Sequence, residues 1–121
     1  MTARLTLLLS LGLLALAPGC GGALKAAIRN DLDRQIRERQ PAFAECYKAV
    51  LERDKTARGM VVLGFQVPAS TTQVGQVLVL NSAIPDPTFQ QCVAAKAQGL
   101  RLVEAHSRPL DVSYPLSFEP L

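Results

Sequence analysis

The stretch Leu110–Glu119 reads LDVSYPLSFE, and its alternation decides the fold. Leu110, Val112, Tyr114, Leu116 and Phe118 alternate with Asp111, Ser113, Pro115, Ser117 and Glu119. Successive side chains of a strand point to opposite faces, so this segment has one apolar and one polar face. A strand of that kind covers a core on one side only. Pro115 has no N–H to give to a ladder, which favours an edge strand or a bulge.

Upstream lies PDPTFQQCVAAKAQG, with clear helix punctuation. Asp86 suits the N-cap, Pro87 the first helical position, and Gly99 the C′ position just past the end. Phe89, Cys92 and Val93, with Lys96 or Ala97 a turn later, define the inward face. Before this helix, GMVVLGFQVP alternates Val61, Leu63, Phe65 and Val67 and reads as a strand ending at Pro68. The polar loop PASTTQVGQ leads to a second short strand, QVLVLNS, antiparallel to the first as a hairpin.

The N-terminal half of the domain is helical. Ile28, Leu32 and Ile36 recur at i, i+4 and i+8 between charged residues, from Leu24 to about Gln40. Pro41 either kinks one long helix or sits in the first turn of a second. From Pro41 to about Arg53 the stripe Phe43, Cys46, Tyr47, Val50 and Leu51 is stronger, and it ends in the charged turn ERDKTARG. The sequence leaves open whether the charged helix before Pro41 packs on the domain. The order is therefore helix, strand, strand, helix, strand. A helix between the second and third strands returns the chain to its starting end. In an all-antiparallel sheet the third strand then lies beside the first, in spatial order 2-1-3. The fold class is α+β, a two-layer α-β-β-α-β arrangement with helices on one face of a three-stranded antiparallel sheet.

The 121 residues allow one domain at most. The segment 1–19 carries one positive charge, Arg4, then an apolar run from Leu5 to Leu16, and reads as a secretory signal peptide. It ends Ala17-Pro18-Gly19-Cys20, similar to the lipobox of bacterial lipoproteins, although Pro18 and the placing of Leu16 depart from the commonest form. Cys20 is expected to be lipidated and to become the mature N-terminus. The alternative is cleavage by the ordinary signal peptidase, with Cys20 incidental. Residues 20–27 then form a lipidated N-terminus and tether, and 28–121 the folded domain. Several acyl chains hold a protein stably at a membrane where a single one does not. No acidic residue follows Cys20, which points to the periplasmic side of the outer membrane rather than retention at the inner one.

Removing 1–19 takes away Arg4 alone, leaving twelve basic residues against ten acidic ones, a net charge of about +2. That balance does not call for nucleic acid or a polyanionic partner. The mixed charges of IRNDLDRQIRERQ read as a solvated helix face. Of the three cysteines, Cys46 and Cys92 remain once Cys20 is set aside. In an oxidising compartment an even pair is expected to be a disulfide. Closing such a loop contributes about 4 kcal/mol in the chain-entropy estimate, a large share of the usual stability of a domain this small.

Taken in order, Cys46-Tyr47, GMVVLGFQV, GQVLVLNS, TFQQCV and VSYPLSF resemble the C-terminal domain of the AgmX/PglI family, a TonB C-terminal-like group of myxobacterial envelope proteins. The resemblance runs from about Ile28 to Phe118. It implies an α-β-β-α-β domain in which Cys46 and Cys92 form the bridge. Two departures stand out: the hairpin loop lacks the short Asp-Gly turn, and LRLVEAHSRP lacks the family's FP and Gly-rich connection. A TonB-like energy transducer needs a membrane helix and a long Pro-rich spacer, so energy transduction is not carried over. What the resemblance offers is a mode of binding. An exposed edge built from Val112, Tyr114, Leu116 and Phe118 can accept a partner's strand, or Pro115, Asp111 and Glu119 can simply protect it.

Catalytic patterns are sparse. His106 stands alone in a polar loop, and nothing has metal-ligand spacing. Cys46 and Cys92 do not form C-x-x-C, and Asp31 and Asp33 do not share a helix face. No nucleophile elbow, P-loop or dinucleotide fingerprint occurs. Tyr47 and Tyr114 are expected in the core or its rim, each hydroxyl reaching a partner. The expectation is a non-enzymatic, lipid-anchored envelope protein with no metal or cofactor, binding another envelope protein or acting as a structural module. Two alternatives stay open: a redox-responsive thiol protein, and a small carrier of an apolar ligand.

Overall fold

The computed structural model describes residues 20–120. The signal peptide expected over 1–19 lies outside the described residues. Six elements follow one another: α1 (Cys20–Glu38), α2 (Gln40–Arg53), β1 (Gly59–Val67), β2 (Val77–Ser82), α3 (Pro87–Lys96) and β3 (Leu110–Phe118). The sheet is antiparallel in the order β2-β1-β3, with the helices over one face, as the sequence order requires.

Helix α1 begins earlier than its apolar pattern. Within the 20–27 segment expected as lipidated N-terminus and tether, the helix read from Leu24 extends back to Cys20, and Leu24 packs against the core one turn before Ile28. Ile28, Leu32 and Ile36 are buried, so this charged helix docks on the domain rather than standing off it. Pro41 ends it. In a continuous helix its ring would meet the carbonyl of Arg37. The break falls at Arg39, and Pro41 sits in the first turn of α2, where a missing N–H costs nothing.

The core lies between the helix layer and one face of the sheet. Val61, Leu63, Phe65 and Val67 of β1 point into it, facing Phe43, Cys46, Tyr47 and Val50 of α2 and Phe89 and Val93 of α3. Tyr47, Phe89 and Phe118 pack as tilted and edge-on rings with centroids 5.1 to 6.4 Å apart. Fully burying one such side chain contributes about 1.5–3 kcal/mol. The Tyr47 hydroxyl donates to the Ala57 carbonyl at 2.6 Å, which satisfies its polar end inside the core.

Two local devices set the joints. Gly59 has φ +127°, and a Cβ there would come within 2.4 Å of the Ala83 Cβ, so only glycine lets β1 start beside the end of β2. Helix α3 is capped by Asp86, whose carboxylate accepts from the Phe89 N–H at 2.9 Å. Its C-terminus closes one residue earlier than expected. Ala97 is the C-cap, and the left-handed residue Gly99 (φ +78°) comes two residues later. The reason is a side-chain cap: Arg39 donates to the carbonyls of Lys96, Gln98 and Gly99 at 3.1, 2.6 and 3.3 Å.

Candidate functional site

The two cysteines meet. Cys46 on α2 and Cys92 on α3 are bridged, with Cα atoms 5.8 Å apart across a separation of 46 residues. Cys46 is buried and Cys92 half-buried. The bond therefore pins the two helices over the aromatic cluster. Cys20 is the first residue of α1, and its side chain lies outside the described ones.

The four residues expected to make a binding edge all lie on β3, an edge strand. Val112 and Phe118 are buried, while Tyr114 and Leu116 are partly buried against the core. Their side chains face inward, so what they offer a partner is main chain and the margin of the core.

At Ser113 that main chain is guarded by α1. The Arg29 Nε donates to the Ser113 carbonyl at 3.2 Å. Arg29 reaches it from outside the sheet, so Ser113 turns its main-chain groups outward. Alternate residues of a strand share a side. Pro115 thus also turns outward, and its missing N–H takes nothing from the ladder with β1. Beside it the Tyr114 hydroxyl donates to the Asp33 carboxylate. Asp33 also pairs with Arg37 at 2.9 Å. Partial burial first, and then the Asp33 carboxylate, push the Tyr114 hydroxyl up to about 12.

Beyond Pro115 the guard stops and a cleft opens. It occupies about 1080 Å³ between the α1–α2 junction, the face of α2 and the end of β3. Pro41, Tyr47, Leu51, Leu116 and Phe118 line it, with Arg37, Lys48 and Glu119 among the polar residues along it. Residues from two helices and one strand converge there because α2 packs mainly on α3 and meets the end of β3 through Tyr47 and Phe118, which leaves a gap beside Leu116. A surface of this composition accepts apolar side chains and excludes water from them.

A second, smaller cleft of about 350 Å³ lies between α1 and the segment that precedes β3, lined by Ile28, Asp31, Leu102 and His106 among others. Two of its polar side chains, Asp31 and Arg34, already serve the fold. Asp31 accepts from the Val103 N–H at 2.7 Å and from Arg34 at 2.7 Å. Gln35 pairs with both main-chain groups of Arg101. Among the described residues no group of three or more His, Cys, Asp or Glu side chains is placed to hold a metal ion, and no helix is long and apolar enough to cross a membrane.

Sequence reasoning missed the roles of Arg29, Asp31, Asp33, Gln35 and Arg39. A signal was present. Positions 29, 33 and 37 run along one flank of the apolar stripe 28, 32, 36, and positions 31, 35 and 39 along the other. Polar residues of fixed hydrogen-bonding type at i, i+4 spacing, bordering an apolar stripe, mark the rims of a docked helix. No protein-family model matches the chain, and no curated protein or solved structure is significantly similar to it.

Proposed function

We propose that this chain is a non-enzymatic, lipid-anchored envelope protein. Its domain binds another envelope protein at the C-terminal end of β3. One observation carries the binding site: the apolar cleft beside Leu116 and Phe118 begins where Arg29 and Pro115 stop guarding the edge. A partner strand entering there gains main-chain hydrogen bonds from the edge and lays alternate side chains into the cleft. The lipobox-like Ala17-Pro18-Gly19-Cys20 after an apolar leader supports export and anchoring at the outer membrane. The kinship proposed with the AgmX/PglI C-terminal domains accords with this role.

The test is a photo-crosslinking residue placed at Ser117, and separately at Ser113, in cells carrying the full chain. The reading predicts one discrete envelope-protein adduct at Ser117 and little at Ser113. Equal adducts at both positions, or none, contradict it.

The apolar lining also favours a second reading, a carrier of a small apolar ligand. Co-purification of such a ligand, displaced by Leu116→Arg, with no protein adduct at Ser117, selects the carrier. The partial exposure of Cys92 keeps a redox role in view. A reduction potential near that of the compartment favours that role, and one far below it a structural staple.

A further inference from the structure

The sheet has a second edge, formed by β2, which neither charge nor proline guards. From Gly59 to Pro85 the chain contains no Asp, Glu, Lys, Arg or His, so β1, β2 and their connections carry no charge. Natural edge strands are blunted by charge, proline, bulges or a covering element. The β3 edge has Pro115 and the Arg29 contact. Strand β2 reads VLVLNS, with neither charge nor proline. Among the described residues no hydrogen bond from outside the β1–β2 hairpin reaches Val77–Asn81.

The outer face beside this edge is apolar. Leu78 is 40 %, Met60 50 % and Leu80 59 % exposed. Leu78 and Leu80 face out together by the two-residue period of a strand. Val62 pairs with Asn81 and Leu63 with Val79, so Leu80 is the extra residue of a bulge. Its side chain lies over Gly64, where an added Cβ would come within 2.9 Å of the Leu80 Cγ. The bulge is the one protective device on this edge.

We infer that β2 pairs with β2 of a second copy of the chain. The exposed main chain calls for a strand as occupant. Arg101 pairs with Gln73 upstream of β2, but β2 itself carries no charge, so identical β2 edges do not repel and a charged partner finds nothing on them to hold. A two-fold axis normal to the sheet keeps both open faces on one side and brings the Leu78 and Leu80 stripes together. The result is one six-stranded antiparallel sheet, β3-β1-β2-β2-β1-β3. Each copy has one β2 edge and pairing consumes it, so the assembly stops at two. The patch is on the order of a few hundred Å² a side, below the roughly 800 Å² a side of a stable interface. The dimer is therefore weak and half-formed only in roughly the high-micromolar to millimolar range.

The test is sedimentation velocity of the full chain over a concentration series, with amide exchange read in parallel. The expected result is a shift from monomer toward dimer, with exchange at Val77–Leu80 slowing as concentration rises. Leu80→Lys, an exposed position that leaves the core untouched, is expected to weaken association at least tenfold. Leu78→Lys does the same, and Glu45→Ala on the exposed face of α2 leaves it unchanged. A monomer at every concentration overturns the inference. So does association indifferent to both lysine variants, or growth past the dimer.

Discussion

Tyr114 shows how one side chain ties a helix to an edge strand. Its hydroxyl is held by Asp33, which Arg37 holds in turn, so β3 is fastened to α1 at mid-strand. The folded hydroxyl titrates at about 12, above the ordinary value of 10.0. A raised acid stabilises the fold fully below the unfolded value and loses that contribution as pH rises through the folded one. Tyr114→Phe is therefore expected to cost about 1 kcal/mol at neutral pH. The gap to the parent should close between roughly pH 10 and 12. Denaturant titrations of both proteins across that range check it. A gap that holds constant there shows that the hydrogen bond contributes nothing. Arg39 is the companion case: three carbonyls at and just past the end of α3 converge on one guanidinium, a task that its place in a charged run did not reveal.

Elements with a clean period were legible. The alternation over Leu110–Phe118, the stripe Phe43–Val50 and the punctuation by Asp86 and Pro87 each matched an observed element. Less legible was whatever depends on a distant partner. The start of α1 was missed because Gly21 and Gly22 argue locally for a tether, whereas docking of Leu24 and Ile28 on the domain favours helix. The bulge at Leu80 was hidden because a run of Val and Leu reads the same in either phase. The segment after α3 holds buried Leu100 and Leu102, pinned by Gln35, Thr72 and Val74, and no periodic pattern announces such a tie. The cleft was invisible for a related reason: which residues a helix leaves uncovered follows from where its neighbours dock. Because α1 forms part of the fold, Leu32→Ala, at a position 0 % exposed, is expected to cost about 2–5 kcal/mol. Thermal unfolding reads this directly, and a change below about 1 kcal/mol shows that α1 is dispensable.

At the scale of the molecule, a helix layer lies on one face of a small sheet, the Cys46–Cys92 bond clamps the layer, and the sheet's two edges are treated differently. One edge is shielded and gives way to a cleft. The other is bare and uncharged. A domain of this size gains roughly 2–5 kcal/mol from a native disulfide. That gain is available only where thiols are oxidised, which joins the bridge to the proposed export and anchoring of the chain. The most direct test is peptide mapping by mass spectrometry, without reduction, of the protein taken from cell envelopes. The account predicts a Cys46 peptide joined to a Cys92 peptide and a chain that begins at an acylated Cys20. Free thiols at both positions, on a chain still carrying residues 1–19, would contradict it.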